Sequence, residues 1–97
     1  MKVYTIITHT HGEYDEIYFD LQTLSKDKAE DKYKQLVKDA CSDLLGMSVE
    51  QCKEDDTIDF YEITEGGGEH IVRQTSIASL YDYEYTKVYL HETEVTE

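Results

Sequence analysis

Between residues 29 and 45 the apolar side chains recur at helical spacing. Ala29, Tyr33, Leu36, Val37, Ala40, Cys41, Leu44 and Leu45 stand at offsets of 4, 7, 8, 11, 12, 15 and 16 from the first. At 3.6 residues per turn these positions merge into one apolar face about five turns long. A helix with such a face has to bury it against a second layer. Ser25 carries a short hydroxyl suited to capping the first free N–H groups, and Gly46 supplies the residue type that ends helices in the left-handed conformation. The spacing therefore predicts a helix over 25–45. A second start signal follows at once: Ser48 and Gln51 fit a capping box, with Met47 placed to staple it, and predict a short helix around 48–53.

The partner layer is legible in segments that alternate every second residue. In 2–9, Val3, Thr5, Ile7 and His9 oppose Lys2, Tyr4, Ile6 and Thr8, so apolar groups fall on both faces, as in a central strand. In 16–22, Ile17, Phe19 and Leu21 share a face opposite Glu16, Tyr18 and Asp20, and the two runs read as an antiparallel hairpin. Ile58 to Ile63 reads as a third strand, which "EGGGE" breaks. Residues 70–75 read as a fourth strand, and "YTKVYLHETEV" as a fifth with Val88 and Leu90 on its better buried side. "SIASLYDYEY" is ambiguous. The expected fold is α+β: residues 1–97 as a single small domain, an antiparallel sheet of about 4–5 strands with one long helix packed on one face, in the order β-β-α-(α)-β-β-β. Leu36, Val37, Ala40, Leu44, Ile17, Phe19 and Leu21 are the expected core.

Ninety-seven residues leave room for one core. The formal charge is −13, which makes the surface soluble and repels it from nucleic acid and anionic membranes. A basic protein surface is the partner such a field attracts. The charge is uneven. Residues 26–43 balance five Lys with five acids, whereas residues 48–97 hold thirteen acids against Lys53, Arg73 and Lys87. The opening "MKVYTII" lacks the long apolar run of a signal peptide, and no segment approaches the roughly 18 apolar residues of a membrane span. A cytoplasmic protein with Cys41 and Cys52 reduced is expected.

The stretch "MKVYTIITHTHGEYDEIYFDLQTLSKDKAEDKYKQLV" resembles the opening of small bacterial and phage proteins that begin with a strand pair followed by a helix. The resemblance covers roughly the first 40 residues, and it implies the ββα start without an activity.

Four groups of residues are candidates for chemistry. In "THTHGEYDE", His9 and His11 stand at i and i+2, which on a strand points both imidazoles to one face, a spacing metal sites use. Further ligands would have to come from Glu13, Asp15, His70 or His91, and the polar end of a hairpin accounts for the same residues. Cys41 falls on the helical stripe, where a thiol is a small buried hydrophobe, and no His lies close to it or to Cys52 in sequence. "EGGGEH" lacks the Lys and helix of a phosphate-binding loop, and its glutamates would repel phosphate. "YDYEYTKVY" places Tyr81, Tyr83, Tyr85 and Tyr89 on one side of an extended chain, with Asp82 and Glu84 on the other. Tyrosine is enriched at protein interfaces, so Tyr81, Asp82, Tyr83, Glu84 and Tyr85 are the expected partner-binding residues.

Three classes of function compete. An acidic protein-binding module or inhibitor, in one version a nucleic-acid mimic of the kind phages direct at host nucleases, suits the charge and its asymmetry. A small structural or accessory protein without a dedicated ligand is the alternative. A His-based metal binder or enzyme is the third, and no catalytic constellation or cofactor motif supports it. The expectation is the first class: not an enzyme, no cofactor, a basic and in one version nucleic-acid-binding protein as partner, and a chain compatible with homo-oligomers.

Overall fold

The computed structural model describes residues 1–12, 14–63, 70–79 and 84–94. The elements are β1 (Lys2–His11), β2 (Asp15–Thr23), α1 (Lys26–Leu45), α2 (Val49–Glu54), β3 (Ile58–Ile63), β4 (Ile71–Ser79) and β5 (Tyr85–Glu94). The strands form one sheet in the order β2-β1-β5-β4-β3, antiparallel at every pairing. This is the α+β layout read from the sequence. β1 lies between β2 and β5, as its two apolar faces required. β4 runs past the expected residue 75 and takes in "SIAS".

Both helices start and stop for the expected local reasons. The Ser25 hydroxyl accepts from the Lys28 N–H at 3.3 Å. Gly46 has φ 65°, and the Gly46 and Met47 N–H groups bond the carbonyls of Ser42 and Cys41 at 2.9 and 3.2 Å. A side chain at that φ is strained, so glycine ends the helix where no other residue does so as easily. The capping box of α2 is complete: the Ser48 N–H donates to Gln51 Oε1 at 2.9 Å, and the Gln51 N–H to Ser48 Oγ at 3.2 Å.

α1 crosses one face of the sheet. Ala29, Tyr33, Val37 and Cys41 from α1 meet Ile6, Ile77, Val88 and Leu90 from β1, β4 and β5, with Cys52 of α2 at one end. Leu36, Ala40 and Leu44 flank this centre and are partly buried.

The expectation for β2 needs correction. Leu21 packs against the core, but Ile17 is 65% exposed and Phe19 78%. Ile6 pairs with Leu21 and Ile7 with Phe19, so Asp20 is an extra residue, a β-bulge. Beyond it the pleat reverses. Tyr18 and Glu16 pair with Thr8 and Thr10 on the helix side, and Ile17 and Phe19 turn to the uncovered side. Asp20 is held there by the Thr8 hydroxyl, which donates to its Oδ2 at 2.6 Å.

One polar pair sits inside the core. The Tyr33 and Thr75 hydroxyls hydrogen-bond to each other, and each residue is 1% exposed. Arg73 lies over the Tyr33 ring at 4.6 Å and donates to Glu62 at 2.9 Å. Tyr33→Phe leaves the Thr75 hydroxyl buried and unpaired, which should cost about 1–3 kcal/mol. Urea denaturation of Tyr33→Phe, Thr75→Val and the double variant checks this. The double variant should lose less than the sum of the singles, because the second change removes the orphaned partner.

Candidate functional site

The bulge and the helix together enclose a cleft of about 510 Å³ on the helix side of the sheet. Its floor is Thr8, Thr10 and Thr86 from β1 and β5. One wall is the second half of α1, which contributes Asp39 and Asp43 beside Leu36, Ala40 and Leu44. The other wall is β2, where Glu16, Tyr18 and Asp20 face inward because of the reversed pleat. Glu84 closes the rim near Gly12, where an added Cβ would lie 3.4 Å from Glu84 Cγ.

Five carboxylates among the described residues thus line one concavity: Glu16, Asp20, Asp39, Asp43 and Glu84. No Lys or Arg is among the described lining residues. Neutral donors hold three of the acids: Tyr18 for Glu16, Thr8 for Asp20, and Gln35 for Asp39 at 2.8 Å. The three cations of the second half of the chain lie on aromatic rings, and only one of those rings, Tyr85, borders the cleft. Lys53 is 5.4 Å from the Phe60 centroid, Arg73 lies over Tyr33, and Lys87 is 4.8 Å from the Tyr85 centroid. Among the described residues the cleft therefore concentrates negative charge without a Lys or Arg in its lining.

Of the expected partner-binding residues, Tyr81, Asp82 and Tyr83 lie outside the described residues. Glu84 reaches the cleft. Tyr85 stands at its border, stacked on His11 at 4.9 Å and edge-on to His9 at 5.4 Å. Glu16, Asp20, Asp39 and Asp43 were not singled out from the sequence. The i, i+4 pair Asp39 and Asp43, flanking the apolar stripe, was the available signal. Nothing in the sequence joined it to β2.

His9 and His11 do share a face, and both approach Asp15 at the end of the hairpin. His11 Nδ1 is bonded to Asp15 Oδ1, and His9 Nε2 lies 3.8 Å from the same oxygen. His11, and His9 less strongly, hold the Asp15 carboxyl below the usual carboxylate range. Among the described residues no group of three or more His, Cys, Asp or Glu is placed to hold a metal ion. No helix among them is long and apolar enough to cross a membrane.

The fold brings Cys41 and Cys52 together where α1 meets α2, a contact their sequence separation did not reveal. Burial first, then the hydrogen bond and charge of Cys52, push the Cys41 thiol up to about 12. A thiol held that high is almost wholly protonated at neutral pH.

No family model, curated protein or solved structure matches the chain.

Two measurements follow from the titrating groups. A thiol reagent at roughly pH 8 should label Cys41 no faster than the chain opens, and denaturant should release the reaction. Rapid labelling of the native protein would contradict the burial. Burial, with a smaller contribution from His70, holds the His91 imidazole below its ordinary value of 6.5. Between those two values the unfolded chain binds more protons than the folded one. The stability due to neutral His91 is therefore whole above about pH 6.5 and is lost as pH falls through the folded value. Proton NMR should place the His91 midpoint below the ordinary value, and His91→Gln should flatten the fall in melting temperature between roughly pH 7 and pH 5.

Proposed function

We propose that this chain is an acidic protein-binding module or inhibitor, whose cleft receives Lys or Arg side chains from a basic partner surface. The observation that carries the reading is the set of five carboxylates lining one concavity without a cation among its described lining residues. An ammonium or guanidinium entering the cleft would meet acids from α1 on one side and from β2 on the other. The net charge of −13 would steer the encounter from a distance. Carboxylates presented at intervals also imitate backbone phosphates, so a nucleic-acid-binding protein is the partner class this charge suits best. The threonine floor and the tyrosines at the border, Tyr14, Tyr18 and Tyr85, add hydroxyls and rings that can take the rest of a long basic side chain.

Affinity capture from a cell lysate at about 50 and about 300 mM salt, followed by titration of the captured protein, tests this. The expected partner is basic, is released at the higher salt, and loses its grip in the presence of competing nucleic acid. The combined variant Asp39→Asn, Asp43→Asn and Glu84→Gln should bind at least about tenfold more weakly at low salt, near 1.4 kcal/mol, with a flatter salt dependence. A partner held equally well by this variant at both salts would refute the cleft as its docking site.

A further inference from the structure

The uncovered face of the sheet has a different composition from the rest of the molecule. Cross-strand pairing sets its residues in rows, one of which runs Ile17, His9, Lys87, Ser76 and Tyr61, and the next Phe19, Ile7, Tyr89, Gln74 and Ile63. Neither row contains a carboxylate, in a chain that has 22 acids among its 97 residues. A row closer to the hairpin end runs from Asp15 through His11, Tyr85 and Ala78 to Asp59, so the acids of these three rows stand at two corners. An antiparallel sheet with one face in water normally alternates apolar-in and polar-out. The two edge strands depart from this pattern: Phe19 at 78% and Ile17 at 65% in β2, and Tyr61 at 56% in β3, are among the most exposed large side chains of the sheet.

We infer that this face is a self-association surface, and that its occupant is the same face of a second copy, packed sheet on sheet. Three arguments select a second copy. The first is area. The strands are 6 to 10 residues long. Five strands spaced about 4.8 Å apart and averaging about 29 Å in length make a face of roughly 700 Å², so two copies together hide on the order of 1,400 Å², which lies in the range of specific interfaces. The second is charge. A copy brings −13 with it, and these rows are where two copies meet without opposing carboxylates. The third is geometry. Sheets packed at about 10 Å leave both helical layers outside, about 30 Å apart, several Debye lengths at physiological salt, so the acidic clefts neither touch nor repel strongly. Lys87 reclines on the Tyr85 ring and offers its aliphatic stem to the contact. A basic partner drawn by the cleft approaches from the helix side, and the two surfaces meet only at the hairpin end, where His11 and Tyr85 belong to both.

Sedimentation equilibrium from roughly 5 to 500 µM tests the inference. The expected result is a reversible dimer that tightens as salt rises, because salt screens the residual repulsion between two like-charged copies. That is the opposite sign to the basic-partner interaction. Phe19→Asp and Tyr61→Asp, at opposite edges of the face, should each weaken dimerisation at least about tenfold. Circular dichroism should show the fold unchanged, since both side chains are exposed in the single chain. Asp39→Asn with Asp43→Asn should dimerise at least as tightly as the parent. The cleft variants and the face variants thus separate the two readings. A monomer at the highest concentration would overturn the inference, as would a dimer indifferent to both face variants or one lost with the cleft variant alone.

Discussion

Asp20 is one residue more than β1 can pair, and the pleat of β2 reverses at it. Without the bulge, with Asp20 paired to Ile7, the alternation of Ile17, Phe19 and Leu21 would run unbroken, and all three would lie under the helix. With it, Leu21 alone joins the core, and Glu16 and Tyr18 take the inward positions. The carboxylate that makes the bulge is itself bonded to Thr8, one of the most buried polar residues of β1. A buried hydroxyl gains from a charged acceptor more than from a neutral one. The contact thus stabilises the register that exposes the flanking apolar pair. Both the acidic cleft and the apolar outer face depend on this inserted residue.

The parts of the fold that were legible from sequence are those that local chemistry decides. Ser25, Gly46 and the Ser48–Gln51 box mark helix ends through hydrogen bonds made within a few residues. The stripe from Ala29 to Leu45 marks a buried face through spacing alone, although only its spine of Ala29, Tyr33, Val37 and Cys41 reaches full burial. β1 announced its central place by carrying apolar residues on both faces. The illegible parts are those that need two distant segments at once. A bulge leaves no trace in alternation, since Ile17, Phe19 and Leu21 look the same with or without it. The contact of Cys41 with Cys52 and the Tyr33–Thr75 bond are products of tertiary packing. The cleft draws its acids from α1, β2 and the start of β5. The sequence placed the charge excess in the second half of the chain, yet four of the five cleft acids come from the first half.

Charge in this molecule is sorted by surface rather than by segment. The balanced helix contributes two of its acids to the cleft, and none of its five lysines lines it. The second half holds its three cations on aromatic faces, and of these Arg73 also pairs with Glu62. None of the three is among the described residues that line the cleft. A field built this way costs self-repulsion, and the cost is bearable because the carboxylates sit in a concavity reached by water and by neutral donors.

Among the described residues β2 and β3 are the edges of the sheet. β3 is six residues long and carries Asp59 and Glu62, both poor templates for another strand. β2 is longer and is rich in apolar side chains, the profile of an edge that recruits strands from other molecules. Its inserted residue counters that hazard. A strand arriving at this edge and pairing with residues 21–23 falls out of step with residues 15–19, so no continuous ladder can be extended from it. The apolar side chains of β2 are available through its face and withheld along its edge. Association through a face closes after two copies, whereas association along an edge would continue into a fibre.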